Sequence, residues 1–164
     1  MNVELNEGKF KETVVCYMIS DNQVLLGERK SSETGLGIGK FVGIGGHVEE
    51  NETYEDTLKR EIKEEVGVAL TSWEFMGVIE WLYPSGIRPN MRSMVYVGHE
   101  WVGAPIETQS IKPQWFDKDN LPLDNMFHDN RYSVPRILNG EKLYAVFTYD
   151  DEGKITQKMD INPL

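Results

Sequence analysis

Residues 46–68 read GHVEENETYEDTLKREIKEEVGV, and their spacing predicts one amphipathic helix, over about 53–66, with three carboxylates crowded on one face. Leu58, Ile62 and Val66 recur at helical intervals as an apolar stripe, and Glu61, Glu64 and Glu65 stand beside it at i, i+3 and i+4. Thr53 and Asp56 have the spacing of a capping box that starts the helix, and Gly67 suits the left-handed residue that ends it. Like charges this close repel, and partial burial adds a desolvation penalty. Either the pKa values rise or a cation moves in. Clustered oxygen donors suit a hard divalent ion such as Mg²⁺ or Mn²⁺. A merely solvated acidic helix would account for the glutamates. It would not account for the flanking glycines, nor for carboxylates that abut the apolar stripe instead of lying opposite it.

Outward from the helix, Glu12 to Ser20 and Gln23 to Lys30 are β-rich runs joined at Asp21-Asn22, a good hairpin turn. In the first run Val14, Cys16 and Met18 occupy one face and Val15, Tyr17 and Ile19 the other, which predicts a strand covered on both sides. Ser31 to Gly39 reads as a mobile loop, followed by short extended pieces around Phe41-Val42 and His47-Val48. Phe75 to Tyr83 and Met91 to Trp101 are strand-like, separated by Pro84-Ser85-Gly86. Gly103 to Pro113 reads as loop, Gln114 to Phe116 as a short strand and Leu121 to Asp129 as irregular. Arg131 to Leu138 is a second helix closed by Asn139-Gly140, with Pro135 tolerable only in its first turn. Lys142 to Tyr149 and Ile155 to Asp160 form an antiparallel pair around Asp150 to Gly153. Doubly buried strands and two separated helices predict an α/β fold, a mixed β-sheet sandwiched between helices.

The 164 residues, 40% hydrophobic, suit one domain with a proper core, spanning 1–164. A formal net charge of -10 argues against unspecific binding to nucleic acid polymers or anionic membranes. An anionic small substrate is compatible with that charge if a cation intervenes. The one cysteine, Cys16, sits in an apolar run as a small buried hydrophobe and excludes an internal disulfide. The polar, acidic start MNVELNEGKF is unlike a signal peptide, and no apolar stretch is long enough to span a bilayer, so cytoplasmic location is the expectation. Gly35, Gly37, Gly39 and Lys40 lack P-loop spacing, and His47, His99 and His128 form no zinc-type pair.

Gly46, Glu52, Arg60, Glu61, Ile62, Glu64, Glu65, Gly67 and Val68 together match every specified position of the Nudix box, and the chain therefore resembles a Nudix hydrolase. The resemblance implies the Nudix α/β/α sandwich, with the box where a loop enters the long helix. It implies that Arg60 pairs with Glu52, that the Gly45 carbonyl joins Glu61, Glu64 and Glu65 as metal ligands, and that one of these carboxylates takes a proton from the attacking water. Where many relatives supply a further acid from a later loop, the aligned position here is Ser110, with Glu100 and Glu107 as possible substitutes.

VLLGERK (24–30), GKFVGIGGHVEENET (39–53), KPQWF (112–116) and NMFHDNRYSVP (125–135) extend the resemblance to MutT-like enzymes that hydrolyse oxidised purine nucleoside triphosphates such as 8-oxo-dGTP. That branch implies Arg29 near the phosphates, Trp81, Met91 and Phe127 as pocket walls, and Asp129 and Asn130 toward the base, with Val42 at a position that usually carries an Asn. The expected product pair is a nucleoside monophosphate and pyrophosphate. Two alternatives stand beside it. One is hydrolysis of a nucleoside diphosphate derivative, ADP-ribose or a dinucleoside polyphosphate, with Tyr83 and Pro84 as the residues that favour it. The other is a nucleotide-sensing module without catalysis. Oligomeric state is not legible in the chain.

Overall fold

Alternation along the first strand decides which helix covers which face. The structure, a computed structural model, describes residues 8–32 and 35–164. Residues 1–7 of the amino-terminal stretch and residues 33–34 of the expected loop lie outside that description. The elements are β1 (Lys11–Ser20), β2 (Gln23–Arg29), β3 (Phe41–Val42), β4 (Ile44–His47), α1 (Tyr54–Val66), β5 (Ala69–Leu82), β6 (Met91–Val102), β7 (Ile111–Asp117), a 3-10 turn (Leu123–Asn125), α2 (Asn130–Leu138), β8 (Leu143–Tyr149) and β9 (Ile155–Pro163). Nine strands form one sheet in the order β3-β2-β1-β6-β5-β8-β9, with β4 beside β1 and β7 beside β2. The β1/β6 and β5/β8 pairs are parallel and the remaining pairs antiparallel.

Val14, Cys16 and Met18 of β1 join one buried cluster with Leu58, Ile62 and Val66 of α1. Tyr17 joins a second with Val134, Ile137 and Leu138 of α2, and Val15 and Ile19 pack against it. A mixed sheet between two helices is therefore the fold, as the doubly apolar strands predict. Leu58, Ile62 and Val66 are wholly buried, and each contributes about 1.5–3 kcal/mol relative to exposure. Their burial fixes the rotation of α1 about its axis, and hence the direction of Glu61 and Glu65, one position away, and of Glu64, two positions away.

Two strand boundaries and the place of one proline differ from the sequence reading. β5 starts at Ala69, not Phe75, because its first half pairs only with β6, whereas pairing to β8 begins at Gly77. That half-open stretch tolerates Thr71, Ser72 and Glu74, which hide it from a hydropathy reading. β7 starts at Ile111 and includes Pro113. Among the described residues it pairs only with β2, so the missing proline N–H faces an open edge. Pro135 lies at the sixth residue of α2, beyond the first turn. The carbonyl it fails to serve belongs to Arg131, an exposed residue.

Candidate active site

The entry to α1 is fixed by reciprocal caps. The Thr53 side chain accepts the Asp56 N–H at 3.0 Å, and Asp56 accepts the Thr53 N–H at 3.2 Å. At the far end Gly67 is left-handed, φ 77°, and donates its N–H to the Lys63 carbonyl at 3.1 Å. Arg60 grips the loop ahead of the helix. Its Nε and Nη2 meet both oxygens of Glu52 at 2.7 and 2.8 Å, and Nη2 also donates to the His47 carbonyl at 2.9 Å. Those hydrogen bonds from Arg60, with one from the Glu49 N–H, hold the Glu52 carboxyl down at about 2.

Glu61 is 9% exposed and lies flat against β4. A Cβ placed on Gly46 would stand 2.3 Å from the Glu61 carboxylate, and one on Gly45 would stand 1.9 Å from the Val14 carbonyl. Gly46 thus leaves room for the Glu61 side chain of α1, and Gly45 for the close approach of the β1 backbone. Burial pushes the Glu61 carboxyl up to about 7, opposed by an Arg60 hydrogen bond and reinforced by the negative charges of Glu65 and Glu64. Glu65 is raised by burial, opposed by the Arg29 charge and reinforced by Glu64. Glu64 points outward, its side chain 60% exposed, and meets Arg60 Nη1 at 3.3 Å.

The three glutamates share one face and feel one another's charge, as their spacing predicts, but their oxygens do not converge. Among the described residues no three acidic, His or Cys side chains are grouped so as to hold a metal ion. Glu61 is turned to Gly46 and Arg60, and Glu64 to Arg60. The donor set still fits a hard divalent cation: it is all oxygen, and burial with like charge destabilises the ionised acids until a counter-charge arrives.

Arg29, at the end of β2, is partly buried. Its guanidinium lies 5.9 Å from the centre of the Phe127 ring, and Lys40 Nζ lies 5.7 Å from the same ring. Two residues beyond Phe127, Asp129 is 3% exposed. One Asp129 oxygen accepts the Tyr149 hydroxyl at 2.6 Å and the other the Asn130 amide at 3.4 Å. The Trp81 side chain donates to the same carboxylate, whose pKa burial raises against these hydrogen bonds. Trp81 stands opposite Met91 in the β5/β6 register, and Tyr149 stacks on Tyr83 at 5.8 Å. Arg29 and Phe127 thus stand together, as do Trp81, Met91, Asp129 and Asn130. The Asp129 oxygens are already engaged by the chain's own donors, and Val42 is buried.

The two later acids separate clearly. Glu100 lines a cleft of about 660 Å³ with Asp21, Thr71 and His99, among which none of the candidate site residues appears. Glu107 is on the loop that docks at the end of α1, where the Thr108 hydroxyl donates to the Glu65 carbonyl at 2.9 Å and the Ile106 N–H to the Val66 carbonyl at 3.0 Å. Lys30 bonds Glu107 at 2.8 Å and lowers its pKa. Thr108 and Tyr149 are contacts the sequence reading missed. An aromatic at the end of a strand facing a buried Asp was the available signal for Tyr149.

The family model described as NUDIX domain matches residues 9–137. The oxidized purine nucleoside triphosphate hydrolase of Mus musculus is 32% identical over 138 residues, 84% of this chain and 86% of that protein. Its counterpart of the same name in Danio rerio is 30% identical over 144 residues, 87% and 90% of the two chains. Among solved structures, a MutT protein from Bacillus halodurans superposes with a TM-score of 0.78 at 21% identity, covering 93% of this chain and 98% of that one. With every position of the box present and its helix built as the box requires, the chain belongs to the NUDIX domain family and is a Nudix hydrolase.

Proposed function

We propose that this chain uses Mg²⁺, for which Mn²⁺ can substitute, to hydrolyse a purine nucleoside triphosphate, oxidised purines such as 8-oxo-dGTP included, to the monophosphate and pyrophosphate. The observation that carries the reading is the placement of Glu61, buried against Gly46 and charge-coupled to Glu65 and Glu64, with Arg29 acting electrostatically on Glu65 and lying by the Phe127 ring. The relatives' names support the purine triphosphate as substrate. One nine-stranded sheet containing all described strands supports a single catalytic domain over 1–164.

Glu61, Glu65 and Glu64, with the Gly45 carbonyl, would hold the ion. A divalent cation there supplies charge neutralisation for the phosphates and activates water. Arg29 offers its guanidinium to the phosphates beside that cluster, and Phe127 and Trp81 offer faces for the base. Glu64, exposed and paired with Arg60, is the carboxylate this reading assigns to take the proton as water attacks phosphorus and the P–O–P bond breaks. Glu107, on the loop against α1, is the later acid in this reading; Glu100, in the separate cleft, is not. Asp129 acts by orienting Trp81 and Asn130, leaving the half-buried Asn130 amide nearest the base edge.

Glu61 has a carboxyl near 7 without metal, so a proton competes with the ion below that pH. Mn²⁺ affinity measured by calorimetry should fall about tenfold per pH unit below about 7 and level off above it. Because that pKa is raised on folding, the metal-free protein should also grow more stable as pH drops from 8 to 6. In a substrate panel with Mg²⁺, oxidised or ordinary purine triphosphates should give monophosphate and pyrophosphate. A clear preference for ADP-ribose or a dinucleoside polyphosphate would overturn the substrate assignment.

A further inference from the structure

Beneath the start of α1 the sheet carries an ionic chain that the hydrolytic site does not use. Glu80 of β5 is 0% exposed. Its carboxylate accepts the Tyr144 hydroxyl and, at 3.3 Å, Arg92 Nη2. Arg92 stands directly opposite in register on β6, lies 4.1 Å from the centre of the Phe10 ring and donates through Nη1 to Glu12 at 3.1 Å. The other Glu12 oxygen accepts the hydroxyl of Tyr54, the first residue of α1, at 3.1 Å. The Glu12 carbonyl accepts the Val48 N–H at 3.0 Å. Both ends of segment 48–54, which includes Glu52, are therefore tied to Glu12 and through Arg92 to a buried acid.

Stability alone is a weak reason for such a chain, because apolar residues of similar volume usually serve a core as well or better. What Arg92 provides is direction: a planar fork that fixes Glu80 and Glu12 at one separation. The next pair along the same strands is Trp81 opposite Met91, and successive residues of a strand face opposite sides. The strands that present Trp81 and Met91 on one face thus carry this chain on the other.

We infer that Glu80, Arg92, Glu12 and Tyr54 form a positioning brace that sets the entry of α1, and with it the placement of Glu61, Glu64 and Glu65 for a cation. None of the four is among the residues read as holding the ion or meeting the nucleotide. The inference rests on the reading of those three glutamates as ion-holding.

The test is calorimetric titration of Mn²⁺ into the unmodified protein and into Tyr54→Phe, Glu80→Gln and Glu65→Gln, with melting temperatures and nucleotide KM measured alongside. Tyr54→Phe should weaken Mn²⁺ binding roughly fivefold, the loss of one hydrogen bond. Glu80→Gln should weaken it about tenfold, in the range seen for outer-shell partners of metal ligands. KM at saturating Mn²⁺ should not change. If Glu80→Gln does not fold, Tyr54→Phe alone decides, since it removes a single oxygen from a half-buried ring. Lowered melting temperatures with unaltered Mn²⁺ affinity would overturn the brace. Binding lost in Glu65→Gln but unaltered in the two brace variants would overturn the brace and keep the ion-holding glutamates; no binding in the unmodified protein would overturn both.

Discussion

Glu65→Gln is expected to lower kcat about 10³-fold at saturating Mg²⁺, the scale of several kcal/mol that a bound cation supplies in phosphoryl transfer. The substitution keeps the shape of the side chain and removes only its charge. Burial and the Glu64 charge make ionised Glu65 unfavourable in the metal-free fold, with only the Arg29 charge opposing them. The metal-free variant should therefore melt at or above the temperature of the parent. The two results together separate a site residue from a structural one, since a residue that held the fold would lose activity and stability in step. Steady-state kinetics and a melting curve in chelator check both. An active variant, or an inactive one that melts well below the parent, would contradict the assignment.

Arg60→Gln is expected to lower both stability and activity. Arg60 bonds Glu52 through two nitrogens, Glu61 at 2.9 Å and the His47 carbonyl at 2.9 Å. Its loss should cost about 2 kcal/mol of stability, the scale of a charge-assisted hydrogen bond in a partly buried setting. It should also cost roughly 10²-fold in kcat/KM, because a displacement of about 1 Å at the reacting groups has that effect. The mechanism distinguishes this variant from Glu65→Gln. Removing Arg60 leaves Glu61 beside Glu64 and Glu65 without its guanidinium, so the Glu61 carboxyl should rise further and the pH at which Mn²⁺ affinity is half-lost should move upward. A variant with parental stability and an unmoved pH profile would contradict the role.

The parts of this molecule written in local spacing were legible, and those made by distant pairs were not. Helical periodicity placed Leu58, Ile62 and Val66 inward and the glutamates beside them, and the capping pair Thr53 and Asp56 marked the helix start; both depend on residues within two turns. Alternation in Val14 to Ile19 announced a sheet covered on both faces, because the pleat alone sets that pattern. Glu80, by contrast, reads in sequence as a polar interruption of an apolar strand. Its partners Arg92 and Tyr144 come from strands 12 and 64 residues away, and no local rule couples them. The different surroundings of Glu107 and Glu100 come from the docking of Thr108 and Ile106 on the end of α1, again a tertiary contact. Asp129 illustrates a limit of resemblance itself: its motif position was recognisable, but its enclosure by Tyr149, Trp81 and Asn130 was not.

The glutamates' claim on a divalent ion is tested most directly by soaking crystals of the protein in Mn²⁺ and recording the anomalous signal. Density among the carboxylates of Glu61 and Glu65, with Glu64 turned inward from Arg60, is the result expected. Anomalous density confined to other acidic surfaces, with Glu61 still turned to Gly46 and Arg60, would contradict it.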